Sequence, residues 1–137
     1  EMSASLVGSE MCIRDRIGYD DEAYKYFSQS ARMDLDDIHN NFYAGIHAAN
    51  MAGTWQGIVF GFAGVRSNAG YLQINPKLPG QWKSYEFRLQ YKGSGLNIKV
   101  TDKKVEYTLL NDCELSYESL GEKIVLSKEG DKYVQEI

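Results

Sequence analysis

Small and apolar residues first recur with a helical period between residues 20 and 33. They occupy one face of a helix: Ala23, Phe27, Ser30 and Ala31. Asp21 and Glu22 precede them, where acidic side chains stabilise the positive end of a helix dipole. We therefore predict a helix over residues 21–33. Residues 34–45 are rich in Asp and Asn and end in a glycine, which is typical of an ordered loop.

A second helical pattern covers residues 46–65. Its large apolar residues fall at i, i+3, i+4 and i+7 and predict a buried face: Trp55, Ile58, Val59 and Phe62. Small residues repeat at every fourth position beside them: Gly45, Ala49, Gly53, Gly57 and Gly61. Each Gly costs about 1 kcal/mol of helix propensity relative to Ala, so this helix needs close neighbours. We predict an inner helix of a multi-helix assembly, since His47, Asn50 and Gln56 disfavour the rival, a membrane helix dimer.

After Arg66 the hydrophobic period changes from 3.6 to 2. Alternating segments predict three antiparallel strands at residues 85–91, 96–101 and 105–109, with a turn at Gly93-Ser94-Gly95. Shorter candidate strands cover 72–75, 114–117, 123–126 and 132–135. About seven strands with turns every 8 to 12 residues are typical of a β-sandwich. The predicted class is α+β, with a helical part at 17–66 and a sheet part at 67–137.

Residues 1–16 have no period and do not continue into the pattern that follows. The string SLVGSEMCIRDR resembles translated sequencing-adapter read-through. We interpret residues 1–16 as a non-native artefact and exclude them from the fold, as one excludes a tag.

Composition is that of an ordinary globular domain, with 43% hydrophobic and 25% charged residues. A net charge of -4 without a cluster of Lys or Arg excludes an electrostatic surface for nucleic acid or an anionic membrane. No apolar run approaches the roughly 20 residues that span a bilayer, and no secretory leader is evident. We expect a cytoplasmic protein with no nucleic-acid or membrane partner.

The sequence gives little support for a metal site or a disulfide. Cys12 and Cys113 lie in segments of different character, and neither has a Cys or His at zinc-ligand spacing. Three acids near His39 lack the spacing of a Ca²⁺ loop: Asp34, Asp36 and Asp37. We predict a solvated or capping loop, with Arg32 and Arg66 as ion-pair partners, and no metal.

Other residues are predicted to be structural. Trp55 and Trp82 are large apolar side chains whose usual place is a core or a domain interface. Several glycines are predicted to be turn residues with positive φ: Gly64, Gly70, Gly80, Gly93 and Gly121.

Specific motifs follow one another in residues 20–110: DLDD, GIHAANMAGTW, GFAGVR, INPKLP and W-x-x-Y-x-F-R. In this order they resemble the end of the (α/α)6 barrel and the start of the carboxyl-terminal β-sandwich of glycoside hydrolase family 65. That family includes maltose, trehalose, kojibiose and nigerose phosphorylases. The resemblance implies that this chain is a carboxyl-terminal fragment: the last barrel helices followed by an antiparallel β-sandwich.

The resemblance also implies a reaction. In an inverting disaccharide phosphorylase, phosphate attacks the anomeric carbon of an α-linked glucose while a Glu protonates the departing sugar oxygen, giving β-glucose 1-phosphate. The family's Glu lies upstream of the matched motifs, so we expect no catalytic residue in this chain and no activity from it alone. Phosphate would be a co-substrate, and no cofactor is implied.

His47 lies in the family's G-[IL]-H segment, and the resemblance implies that it is a phosphate ligand. Helix dipoles favour anions at this end, and an imidazole N–H can donate to a phosphate oxygen. Asn50 and Thr54 follow at i+3 and i+7 on the same face and could extend the site, although such residues often bond locally.

Two other functions stay open. The first is a free-standing β-sandwich module that binds carbohydrate or has a structural role and has no catalytic activity. The second is a hydrolytic member of the family, which would use a carboxylate as its base. The sequence does not indicate the disaccharide or its linkage. A homodimer stays open for the parent protein.

Overall fold

The computed structural model describes residues 20–37, 40, 43, 45–68 and 70–137. Residues 1–16, interpreted above as an artefact, lie outside this part of the chain. The chain divides into two compact units at Phe62/Ala63, whereas the predicted boundary was Arg66/Ser67. A three-residue strand, β1 (Arg66–Asn68), begins before that predicted boundary and is too short to show alternation in the sequence.

The first unit holds two helices. Helix α1 spans Asp20–Asp36, three residues beyond its predicted end. Helix α2 spans Ala48–Gln56 and continues as a π-helical segment, Gly57–Phe62. The single α-helix predicted for residues 46–65 was therefore wrong at both ends. Gly45 has a φ of +89° and His47 a ψ of 81°, so neither backbone is helical.

Of the predicted buried face of α1, Ala23, Phe27 and Ser30 are buried and Ala31 is half-buried. Phe27 packs edge-to-face on Phe62, with ring centroids 5.4 Å apart.

The apolar row of the second helical pattern was only partly right. Val59 and Phe62 are buried, but Trp55 is 52% exposed, so its prediction as a core residue was wrong for this chain. The π-helical segment changes the rotation per residue after Gln56, and the Trp55 ring packs edge-to-face on exposed Phe60, with centroids 5.6 Å apart. Of the row of small residues, only the last three are buried: Gly53, Gly57 and Gly61. In the described residues, no helix has both the length and the apolar composition needed to cross a membrane.

The second unit is a β-sandwich of two four-stranded sheets. Sheet A has the order β1-β2-β6-β7, and sheet B the order β3-β4-β5-β8. The remaining strands are β2 (Tyr71–Ile74), β3 (Ser84–Tyr91), β4 (Ser94–Thr101), β5 (Lys104–Leu109), β6 (Leu115–Ser119), β7 (Glu122–Leu126) and β8 (Lys132–Glu136). The seven predicted strands are present, and the α+β class with a β-sandwich is confirmed.

One strand pair departs from the antiparallel prediction. Strand β2 pairs in parallel with β6, with Leu72 opposite Tyr117, whereas the neighbouring β1–β2 and β6–β7 pairs are antiparallel. A parallel pair needs a long crossover connection, here the whole β3–β5 meander, and leaves no turn signal in the sequence.

The core lies between the two sheets and follows the predicted alternation. Sheet B contributes Leu96, Ile98, Val100, Val105, Tyr107 and Leu109, and sheet A contributes Leu72, Ile74, Leu115, Tyr117, Ile124 and Leu126. The rings of Tyr107 and Tyr117 lie 5.1 Å apart and join the sheets. Strand β3 lies at the edge of sheet B, and of its inward residues only Tyr85 is buried while the others are half-buried.

A buried polar network crosses the sandwich beside these tyrosines. The hydroxyls of Tyr107 and Ser119 lie 2.5 Å apart, and Ser119 Oγ donates to Gln135 Oε1 at 2.8 Å. Tyr117 Oη is buried and has no hydrogen-bond partner among the described residues. Burial raises the pKa of Tyr107 to about 12 and raises the pKa of Tyr117 as well.

The β3–β4 turn uses two residues with positive φ, Lys92 at 50° and Gly93 at 88°. This is the geometry of a type I′ hairpin, and it places the turn ahead of Ser94 and Gly95, which already belong to β4. Of the glycines predicted to have positive φ, Gly80 is the exception.

Candidate functional site

The predicted phosphate ligand, His47, is the residue that caps the start of α2 and does not lie within its first turn. Its carbonyl accepts hydrogen bonds from Asn50 N at 2.9 Å and from Met51 N at 3.1 Å, which begins the helix. About a third of the side chain is exposed. The ring therefore lies at the positive end of the helix dipole, where an anion is favoured.

Asp34, in the last turn of α1, holds both the backbone and the ring of His47. Its Oδ2 accepts from His47 N at 2.9 Å, and its Oδ1 lies 2.5 Å from His47 Nδ1. The sequence pattern had predicted Asp34 to be a loop residue and gave no sign of this contact. The two residues are 13 positions apart, and no periodicity connects them.

The electrostatic effect of this contact is seen at the carboxylate. Hydrogen bonds from the His47 ring and then from the His47 backbone N–H hold the pKa of Asp34 below its usual value. A depressed pKa means that the contact favours the folded form above the ordinary Asp pKa. That contribution is lost as the pH falls through the folded-state value.

Asn50 and Thr54 lie on the same side of α2 as predicted, and both contact α1. Asn50 is buried, its Oδ1 accepts from Ser30 Oγ at 2.6 Å, and its Nδ2 donates to the carbonyl of Ser30. Thr54 Oγ1 donates to the carbonyl of Asn50 at 3.0 Å and lies 3.5 Å from Ser30 Oγ. These bonds tie the two helices together, and a ligand role for either residue stays a prediction.

The other acids of the DLDD segment behave as structural residues. Arg32 Nε and Nη2 donate to Asp36 at 2.6 Å each, an i,i+4 pair on the exposed face of α1, and this pairing was predicted. Arg66 Nη1 donates to the carbonyl of Val65 at 2.7 Å, and its pairing with an acid stays a prediction.

No cluster of three metal-ligating side chains was found in the described ranges. Cys113 is an exposed free thiol, and Cys12 lies outside the described residues.

The described part of the first unit thus brings together a carboxylate and an imidazole at the start of a helix. A carboxylate only accepts hydrogen bonds, so it fixes the ring proton on Nδ1 and orients the ring. An imidazole held in this way binds an anion when Nε2 also carries a proton, and accepts a proton at Nε2 when it does not.

Two family descriptions match the chain. The glycosyl hydrolase family 65 central catalytic domain matches residues 3–56, and the family 65 C-terminal domain matches residues 65–126. The first match includes residues 3–16, so the interpretation of residues 1–16 as an artefact stays a prediction.

Individual proteins are also similar to most of this chain. The chain is 44% identical over 116 residues to the alpha,alpha-trehalose phosphorylase of Thermoanaerobacter brockii, covering 85% of this chain and 15% of the relative. It is 45% identical over 114 residues to the same enzyme of Geobacillus stearothermophilus, covering 83% of this chain and 15% of the relative.

A solved structure described as a putative kojibiose phosphorylase from human microbiome superposes with a TM-score of 0.91 at 29% identity, over 100% of this chain and 19% of that one. The chain therefore spans less than a fifth of the proteins it matches. The two family matches together cover most of the chain and the superposition extends over all of it, so the chain belongs to glycosyl hydrolase family 65.

Proposed function

We propose that this chain is the carboxyl-terminal part of an inverting disaccharide phosphorylase. The parent enzyme would cleave an α-glucosidic disaccharide with phosphate to give β-glucose 1-phosphate and a free sugar. The relatives that support this proposal are trehalose phosphorylases, and the similar solved structure is described as a putative kojibiose phosphorylase. Both trehalose and kojibiose are therefore substrates to test.

The observation that carries the proposal is the placement of His47. Its ring stands at the amino-terminal end of α2 and is oriented by a carboxylate. A hydrogen bond donated to a charged oxygen is stronger than one between neutral groups, and the helix dipole adds to it. His47 would thus bind the attacking phosphate, while Asn50 and Thr54 would hold α2 against α1.

The reaction divides between this chain and the rest of the parent. A phosphate oxygen forms a bond to the anomeric carbon, the glycosidic C–O bond breaks, and a Glu outside this chain gives its proton to the departing sugar oxygen. Phosphate is already a nucleophile, so the site needs an anion ligand and no second carboxylate. The chain alone would supply the ligand without the acid and would be inactive.

A free-standing sugar-binding module is less well supported. Such modules need an exposed aromatic surface on a sheet. In residues 63–68 and 70–137, the exposed large apolar side chains are all aliphatic: Leu120, Val125, Val134 and Ile137. Trp82 is half-buried and packs edge-to-face on Tyr85 at 5.8 Å.

The test is the kinetics of the full-length parent with trehalose and with kojibiose. We expect glucose 1-phosphate to form only when phosphate is present. His47→Ala should raise the KM for phosphate about ten- to hundredfold, the effect of losing one charge-assisted hydrogen bond. The KM for the disaccharide should change little.

Gln56→Ala is the matched control, because Gln56 is an exposed polar residue at the other end of α2. It should leave both KM values unchanged. Release of glucose without any dependence on phosphate would instead identify a hydrolytic member of the family. An unchanged phosphate KM together with a lowered melting temperature in His47→Ala would make His47 a structural residue. The absence of a cofactor, a cytoplasmic location and a homodimer remain predictions for the parent.

A further inference from the structure

Asp34 makes two contacts with one residue, and both are with the proposed phosphate ligand. Its two oxygens contact the backbone N–H and the ring Nδ1 of His47 separately, so the carboxylate fixes the position of the residue and the rotation of its ring together. Three quarters of the Asp34 side chain is covered, which limits the competition from water.

With Nδ1 held by Asp34, Nε2 is the ring nitrogen that would donate to phosphate. Because the carboxylate accepts from Nδ1, a neutral ring would carry its one proton there, and Nε2 would then be an acceptor. Only the imidazolium donates from both nitrogens. A ring that donates Nδ1–H to Asp34 would bind an anion through Nε2–H without losing the contact with the carboxylate.

We propose that Asp34 is a positioning residue for phosphate, acting through His47: its carboxylate fixes the position of the residue and the rotation of the imidazole. The inference rests on the proposed function and names a residue that the family resemblance did not assign. Asp34 itself does not touch phosphate, since two anions would repel each other.

The neighbouring Asp36 provides a matched control. It lies two residues from Asp34 on the same last turn of α1, but its carboxylate is paired with Arg32 through two bonds of 2.6 Å. Removing the Asp36 charge therefore changes the local net charge by the same amount and leaves the Asp34–His47 contact in place. Any effect that is specific to Asp34 must come from His47.

The experiment measures phosphate and disaccharide kinetics of the full-length parent carrying Asp34→Asn, Asp36→Asn or Asp34→Glu. We expect Asp34→Asn to raise the phosphate KM about tenfold and to leave the disaccharide KM and the kcat at saturating phosphate within about twofold. Asp36→Asn should match the unmodified enzyme. Asp34→Glu keeps the charge and should recover most of the phosphate affinity.

A double-mutant cycle separates this role from a purely structural one. In a His47→Ala background, Asp34→Asn should cause no further rise in the phosphate KM, because the residue through which it acts is gone. Equal effects of Asp34→Asn and Asp36→Asn, or fully additive effects of Asp34→Asn and His47→Ala, would overturn the inference. So would an Asp34→Glu enzyme that is folded and binds phosphate as weakly as Asp34→Asn. Failure of the proposed function looks different, since the unmodified parent would then show no phosphate-dependent cleavage.

Discussion

Gly64 is the position at which the sandwich most clearly requires a residue without a Cβ. Its φ is +58°, and a Cβ built there would lie 2.6 Å from the carbonyl oxygen of Asn75. The two segments are already joined, because Asn75 N donates to the carbonyl of Ala63 at 3.2 Å. We therefore expect Gly64→Ala to destabilise the second unit.

Two costs contribute to the expected decrease in the free energy of unfolding. The left-handed conformation costs an L-residue about 1–2 kcal/mol. The distance from the new Cβ to the Asn75 carbonyl must also grow from 2.6 Å to the 3.4 Å at which ordinary contact begins. Overpacking that forces a backbone shift costs about 1–3 kcal/mol. The free energy of unfolding should thus fall by about 2–5 kcal/mol, a large share of the 5–15 kcal/mol that is typical of a whole domain.

Gly93→Ala is the matched control, because Gly93 has a φ of +88° and nothing within 4 Å of a built Cβ. It should carry the conformational cost without the contact. Both variants are compared by urea unfolding in a Trp55→Phe background, where Trp82 is the single remaining tryptophan and reports on the sandwich. A difference of less than about 0.5 kcal/mol between Gly64→Ala and Gly93→Ala would refute the close approach as the cause.

Two further predictions concern the buried tyrosines. Tyr107→Phe should lower the free energy of unfolding by about 1–3 kcal/mol because it leaves Ser119 without its partner hydroxyl. Tyr117→Phe should be neutral or stabilising because its buried hydroxyl has no partner among the described residues. Equal losses of stability in urea unfolding would contradict this. Since burial raises both tyrosine pKa values, that of Tyr107 to about 12, their contribution to stability is complete below the ordinary tyrosine pKa of about 10 and is lost as the pH rises through the folded-state value. The melting temperature should therefore fall between about pH 10 and 12, and less steeply in a chain carrying both substitutions.

Local patterns in the sequence were sufficient to predict most strands of the second unit. Strands β4 and β5 alternate strictly between buried residues and half-buried or exposed ones because each has one face in the core, and the period of 2 in the sequence reflects this directly. Strand β1 has only three residues and showed no pattern. The parallel β2–β6 pair depends on contacts between distant segments, which alternation within a strand does not encode.

The residues of the candidate site were likewise only partly predictable from the sequence. His47 was found through its family segment, but Asp34 was not, because its role arises from the way in which the end of α1 meets the start of α2. Asn50 and Thr54 were placed on the expected side of α2, yet that side faces Ser30. Helical spacing predicts which residues share a face, and only tertiary structure says what the face contacts.

The strand order of the sandwich has a consequence for its synthesis. The chain begins sheet A, crosses to sheet B for three strands, returns to sheet A with β6 and β7, and ends in sheet B with β8. Gln73 meets Glu118 across 45 residues, and β5 gains its second neighbour only when Lys132–Glu136 has emerged from the ribosome. Sheet A is therefore incomplete until β6 and β7 have been made, and sheet B until β8 has been made. A premature stop before β8 would leave an unpaired strand edge that favours aggregation, and not a smaller folded domain.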